Sequence, residues 1–363
     1  MRIPPLFNRI RNELNFRFRE KVDQTRIVVF VLPSEDLISG GVMSVISIYR
    51  ELKKLEHDLG INVFLSTHPQ APHFEGYTMH NRDVKVYGFK HVITKVLPDS
   101  TILFHIPEAH VIQFFLGLRH TELDKLKDDK RLTYDVNILN QNPVYFPKKE
   151  ELRLFISRIR DLTQTTAHYA YNKQFKLGDR LVPSSYLSAY VGIDISEVVP
   201  YEKKRNAILV SHDDHPQKES VLKTLQKAIP NLEIIVVNNI PFEEYTELQK
   251  SCKFGLTFGE GVDSYFVQCI LDGGIGFAVA NPVFFTEDIK AFPTVFESFE
   301  KMQENLPRLI NEMNAPISFS KTVNEIRPVL GKYYRFAAYT QRIEHLHTNW
   351  KNNQGIIATK EIW

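Results

Sequence analysis

The chain has 363 residues, 43% of them apolar and 24% charged, with a formal net charge of +2. That length exceeds one ordinary core and predicts two domains of roughly 150–200 residues, while the near-neutral balance excludes a general nucleic-acid binder. Two cysteines, Cys252 and Cys269, cannot build a disulfide framework and suit a reducing compartment, and no run reaches the ~18 apolar residues of a spanning helix.

Residues 1–22 are distinct. Arg2, Arg9, Arg11, Arg17, Arg19 and Lys21 outnumber Glu13 and Glu20, and Phe7, Ile10, Leu14 and Phe18 recur at helical spacing. Such a basic amphipathic helix suits an anionic membrane surface; packing on its own domain is the alternative. The first strongly apolar run, 27–32, is too short and too far from the start for a signal peptide, so a cytoplasmic protein is expected.

Residues 27–32 predict a strand. A loop with Ser39, Gly40 and Gly41 follows, then a helix over 42–59 with Val45, Ile46, Ile48, Tyr49 and Leu52 on one face. A second strand at 61–65 completes a βαβ opening. Its glycine pair falls at the carboxyl end of a strand, where doubly wound sheets place ligands. Short strands are expected at 84–87, 101–105, 134–139, 162–166 and 180–182, in a mainly parallel sheet. Two loops at strand ends collect polar groups: His105, Glu108 and His110 in one, Asn140 and Gln141 in the other. Zinc on His105, Glu108 and His110 is conceivable, but that spacing on a proline-interrupted loop is unspecific, and a satisfied surface or core histidine is the safer reading.

The chain turns polar over 194–205, which predicts the boundary between a first domain (23–198) and a second (199–331). A second strand–helix series follows: strand 207–210, a loop with His212, Asp213, Asp214 and His215, helix 217–228 opening with Lys218, strand 232–237 and helix 242–250. Then comes LTFGEGVDSYFVQCILDGGIGFAV, from Leu256 to Val279. It predicts a strand at 254–258 and a tight loop with Gly259, Glu260, Gly261 and Val262. Asp263 or Ser264 would cap a helix over 265–271, and a strand follows at 275–279. A helix N-terminus can receive phosphate, and a neighbouring carboxylate can accept hydrogen bonds from sugar hydroxyls. Helices are expected over 299–312 and 332–348, the last rich in aromatic residues, with 332–363 forming a C-terminal element.

The stretch around Glu260 resembles the donor-site signature of retaining GT-B glycosyltransferases of the glycosyltransferase 4 type, in which two glutamates stand eight positions apart. A bacterial polysaccharide rhamnosyltransferase-like branch is one form. Glu260 matches the first glutamate; Gln268 stands at the second. The resemblance implies an α/β protein of two doubly wound Rossmann-like domains facing across a cleft, with the C-terminal helix crossing back to the first. It implies a nucleotide-sugar donor on the second domain, bound by Gly40, Gly41, His212, Lys218, Gly259, Gly261, Val262, Asp263, Ser264 and Gln268, with Glu260 catalytic. Lys218 fits a phosphate-binding lysine, whereas the His212 region stands where an arginine is usual. A glycan or lipid-linked acceptor would bind the first domain, with His105, Glu108, Asn140 and Gln141 as the candidates on the acceptor side, and neither cofactor nor metal is expected. Surface polysaccharide biosynthesis at the inner face of the membrane is the implied setting. Two alternatives remain: an inverting transferase or sugar-nucleotide epimerase, for which Glu35, Asp36 or Glu108 offers a base, and a non-catalytic nucleotide-sugar-binding protein.

Overall fold

The apolar run at 27–32 becomes the middle of a parallel sheet. In the computed structural model, which describes residues 20–33, 40–68, 84–117, 132–142, 145–148, 150–151, 164–167, 175–177, 180–182, 184–187, 198–238 and 240–352, all six of its side chains are fully buried. The described residues divide into two units, 20–187 with 340–352, and 198–339. The N-terminal helix expected over 1–22 lies almost wholly outside them.

The first unit runs β1 (Arg26–Pro33), α1 (Gly40–Lys54), α2 (Glu56–Leu59), β2 (Asn62–His68), β3 (Val86–Gly88), α3 (Phe89–Ile93), β4 (Thr101–Pro107), a 3-10 turn (Glu108–His110), α4 (Val111–Gly117), β5 (Thr133–Asn140), β6 (Gln164–Ala167), β7 (Phe175–Leu177), β8 (Arg180–Val182) and β9 (Ser184–Tyr186). Seven strands pair in the order β3-β2-β1-β4-β5-β6-β9, all parallel. Side chains alternate between the faces of β1. Ile27, Val29 and Val31 join Phe89, Phe104 and Phe114 in one core, while Phe30 on the other face meets Tyr49 of α1 edge-on at 6.0 Å.

Two expectations are corrected here. The helix predicted over 42–59 is two helices, because the turn at Leu55 tightens onto the Leu52 carbonyl (3.0 Å). The chain then restarts so that Glu56 accepts both the Val63 N–H (2.7 Å) and the Lys53 ammonium (2.8 Å). The strand at 180–182 lies outside the large sheet, in an antiparallel pair with β7.

The second unit runs β10 (Arg205–Val210), α5 (Lys218–Ala228), β11 (Glu233–Val236), α6 (Phe242–Ser251), β12 (Cys252–Leu256), α7 (Ser264–Leu271), β13 (Ile275–Val279), α8 (Glu287–Lys290), β14 (Val295–Phe296), α9 (Phe299–Met313) and α10 (Pro316–Tyr334). Its parallel sheet has the order β11-β10-β12-β13-β14. Ile208, Val210, Phe254, Leu256, Ile275 and Phe277 pack on α9 and α10, and Ala207 and Leu209 face α6. The 19-residue α10 was not expected. Pro316 sits in its first turn, where no N–H is missed; Pro328 lies inside it, a residue that in sequence argues for a stop, yet the helix runs on to Tyr334. The helix predicted over 332–348 is divided at Arg335, which is extended, between α10 and α11 (Phe336–Lys351).

In both sheets the winding reverses beside the first strand, between β1 and β4 and between β10 and β12. Doubly wound sheets bind ligands in the crevice at the carboxyl ends of the strands flanking such a reversal.

Candidate functional site

The second reversal holds the loop read from sequence. Val210 and Leu256, partners in register at the ends of β10 and β12, lead into residues 211–217 and 257–263. The Phe258 N–H donates to Ser211 Oγ (3.0 Å), which draws the chain out of the sheet two residues before the expected end of the strand. Gly261 has φ +90°, and a Cβ there would lie 2.6 Å from the Phe285 ring, so glycine is required. A Cβ at Gly259 would lie 2.9 Å from Asp213 Oδ2. Val262 is half-buried.

Asp263 caps α7 as expected: its Oδ1 accepts the N–H groups of Tyr265 (2.9 Å) and Phe266 (3.3 Å), and its Oδ2 accepts the Thr257 hydroxyl. Two of the helix's first N–H groups are thereby satisfied, so the cap itself fills part of the place expected to receive phosphate. Desolvation pushes the Asp263 pKa up to about 7, despite the Thr257 bond, and the Glu260 charge adds to the rise. Ser264 is also engaged, its hydroxyl with Tyr245 (2.6 Å) and its carbonyl with Gln249 Nε2 (2.7 Å). Glu260 is exposed. Protein atoms crowding its carboxyl raise its pKa, and Asp213 adds to the effect.

Lys218 lies beside this loop, its ammonium 5.9 Å from the Phe258 ring centre, but it donates to the carbonyls of Ser211 (2.7 Å) and Asp213 (3.0 Å). It ties down the loop after β10. His212 is exposed on that loop. Gln268 does not join the group. It is buried, and its amide donates to Asp272 Oδ1 (3.1 Å) at the far end of α7. Asp272 in turn feels Lys204, whose ammonium binds the carbonyl of Cys252 at the start of β12. Gln268 therefore points to the amino edge of the sheet, opposite Glu260. Asp213 joins Gly259 and Glu260 here, although its place in the 212–215 loop gave no sign of it.

The first reversal holds the other candidates. Gly40 and Gly41 form the first turn of α1 instead of a preceding loop, and a Cβ on Gly41 would lie 2.8 Å from Gln141 Oε1. Asn140 ends β5 beside it. Glu108 is buried; its Oε1 accepts the Asn142 N–H (2.9 Å), and burial lifts its pKa to about 7. His105 is not part of this group. It is fully buried, stacked on Phe30 at 4.6 Å, with Asn137 Nδ2 2.7 Å from its Nδ1 and His347 Nε2 2.9 Å from its Nε2. The His347 Nδ1–H reaches the Ile343 carbonyl (2.6 Å). One proton arrangement satisfies this chain: Asn137 donates to His105, His105 to His347, and His347 to the backbone. Burial drives the His105 pKa well below its ordinary value and takes His347 down to about 4. Among the described residues no three His, Cys, Asp or Glu side chains converge as metal ligands, and no helix is long and apolar enough to cross a membrane.

No family model matches the chain, and no curated protein matches it in sequence. Its fold is shared by solved structures. Sucrose-phosphate synthase from Thermosynechococcus elongatus aligns with a TM-score of 0.58 at 9% identity, over 90% of this chain and 100% of that one. MnaA of S. aureus, solved with UDP, gives 0.54 at 10% identity, over 92% and 98%. UDP-GlcNAc 2-epimerase from Neisseria meningitidis, solved with UDP-GlcNAc, gives 0.51 at 12% identity, over 90% and 100%. The fold is GT-B, built from two parallel-sheet, Rossmann-like units.

Proposed function

We propose that the chain is a nucleotide-sugar enzyme. Its second unit holds the donor, and the sugar passes to a hydroxyl of a glycan or glycoconjugate bound by the first. The observation that carries this reading is Glu260. It is an exposed carboxylate on a glycine-bounded loop at the switch point of a doubly wound sheet, a position suited to accepting hydrogen bonds from sugar hydroxyls. The GT-B neighbours solved with UDP or a UDP-sugar support the ligand class. The retaining course implied by the resemblance rests on the Glu260 loop alone, since Lys218 and Gln268 are engaged elsewhere. A role in surface polysaccharide synthesis, with membrane contact, rests on the basic residues of 1–22.

An epimerase acting on a nucleotide-sugar is the second reading. It is favoured by the direction of Gln268, which leaves Glu260 without the second residue of the transferase signature, and by the epimerases among the neighbours.

Thermal shifts against nucleoside diphosphates and nucleotide-sugars test the common premise, because a ligand at 100 times its Kd stabilises by about 2.7 kcal/mol. No shift with any of them would end both readings. Incubation in heavy water separates the two: epimerisation by deprotonation at carbon exchanges a sugar C–H with solvent, and transfer does not.

A further inference from the structure

Lys218 turns its charge onto the chain that carries it. It opens α5, yet its side chain runs back along the loop 211–217 and donates to the carbonyls of Ser211 (2.7 Å) and Asp213 (3.0 Å). The Phe258 ring centre lies 5.9 Å from the same ammonium. Ser211 is fully buried and joins this loop to the next one. Its N–H donates to the Leu256 carbonyl (3.0 Å), and its Oγ accepts the Phe258 N–H (3.0 Å). One ammonium therefore fixes the loop after β10 and, through Ser211, the root of the loop that carries Glu260.

The groups held by this tie would drift apart without it. Asp213 Oδ2 lies 2.9 Å from the place a Cβ on Gly259 would take. The Asp213 charge is felt at Glu260 and at Asp263, and like charges brought close repel. Of the carboxylates offered as a base, Glu35 and Asp36 lie outside the described residues and Glu108 belongs to the first unit; the pair that meets beside this switch point is Asp213 and Glu260. The ammonium meets Asp213 at its carbonyl, so it restrains the backbone of the acid it steadies. Two carboxylates held side by side suit a ligand that brings hydrogen-bond donors, such as vicinal sugar hydroxyls, and oppose a diphosphate at the same spot.

We infer that Lys218 is a positioning residue for the donor's sugar: it holds the 211–217 and 257–263 loops so that Asp213 and Glu260 meet the sugar hydroxyls together, and it does not bind the diphosphate. This rests on the nucleotide-sugar reading above. It replaces the phosphate-binding part that the resemblance gives to Lys218. It also sets a second acid beside Glu260, where Gln268 cannot serve because its amide is turned to Asp272.

The two roles fail differently. A lysine on the diphosphate serves the bare nucleoside diphosphate and the nucleotide-sugar alike, whereas a tie that places sugar-reading carboxylates serves only the second. Methionine keeps the length of the side chain and removes its charge; arginine keeps the charge and has donors enough for both carbonyls.

The test compares the Kd values of UDP, GDP and dTDP with those of UDP-glucose, UDP-N-acetylglucosamine, GDP-mannose and dTDP-rhamnose by titration calorimetry. Wild type, Lys218→Met, Lys218→Arg and Ser211→Ala are measured, with circular dichroism confirming that each is folded. For the nucleotide-sugar that wild type binds best, Lys218→Met should weaken binding about 10-fold or more, while the matching nucleoside diphosphate changes by less than about threefold. Lys218→Arg should recover most of the loss. Ser211→Ala removes the acceptor of the Phe258 N–H and should reproduce the Lys218→Met pattern; it carries the test if Lys218→Met does not fold. Equal weakening of both ligands in Lys218→Met would make Lys218 a phosphate ligand and overturn the assignment, as would a Lys218→Met protein that binds both as wild type does. A wild type that binds nucleoside diphosphate and nucleotide-sugar equally well also overturns it, while leaving nucleotide binding in place. A wild type that binds none of them removes the nucleotide-sugar reading and this role together.

Discussion

Glu108 makes the folded chain carry a charge it would sooner lose. Its pKa rises from 4.5 to about 7 on folding, so between those values the folded state holds more protons than the unfolded one. Its contribution to stability is therefore greatest in acid and falls as pH rises through that window, by up to roughly 3 kcal/mol. Glu108→Gln keeps the acceptor for the Asn142 N–H and removes the charge. Its melting temperature should exceed that of wild type by several degrees at pH 8 and hardly at all at pH 5. A variant less stable at both would mean that the carboxylate is needed for the fold. Glu260 differs, being exposed. If it accepts donor-sugar hydroxyls, Glu260→Gln loses hydrogen bonds to a charged group, worth roughly 1.5–3 kcal/mol. Turnover should then fall about 10- to 150-fold while binding of the bare nucleoside diphosphate changes far less. Equal weakening of both would show that Glu260 does not read the sugar. Much of this site was legible because it is local: a glycine pair around an acid, then a capping aspartate, is written within five residues. What Lys218 and Gln268 do was not legible, because each is decided by a partner that only the fold supplies, two loop carbonyls for one and Asp272 for the other.

Helix α11 shows how far an element's role can stand from its pattern. Its aromatic residues suggested packing, and Trp350 does pack, 5.9 Å from the Arg26 guanidinium, with its N–H on Asp135 (2.7 Å). Its polar attachment, His347 on His105, joins residues 242 apart in sequence and left no local trace. The strands were readable because buried parallel strands are continuous apolar runs; α10 was not, because Pro328 reads as a stop. The histidine pair makes a pH prediction opposite in sign to that for Glu108. His347 titrates near 4 when folded and 6.5 when free, so the unfolded state binds the proton first and stability is lost as pH falls from about 6.5 to about 4. His347 alone accounts for roughly 3 kcal/mol of that loss. His347→Phe should lose about 1–3 kcal/mol at pH 7, from the stranded His105 N–H, and should lose less than wild type on further acidification. Parallel acid-unfolding curves for the two proteins would show that His347 is already protonated in the fold.

Each unit has its own core, built around its own sheet. Calorimetry should therefore resolve more than one transition, since two-state behaviour belongs to single domains. If the donor binds at the Glu260 loop as proposed, a nucleoside diphosphate should raise the transition of residues 198–339 first, by about 2.7 kcal/mol at 100 times its Kd. A ligand that raised only the other transition would move the donor site to the first unit.

The docking of α11 also sets an order in time. Strand β4 emerges from the ribosome early, but the ring that satisfies its buried His105 lies beyond the whole second unit. At 5–20 residues per second, the 150 residues from 190 to 339 take about 8–30 s to make. Throughout that interval the nascent first unit carries an open seam along β4 and β5 where α11 will seat, while the younger second unit can close behind it. Chaperone capture of the new chain should therefore rise once β4 has emerged and end only when α11 has emerged and seated.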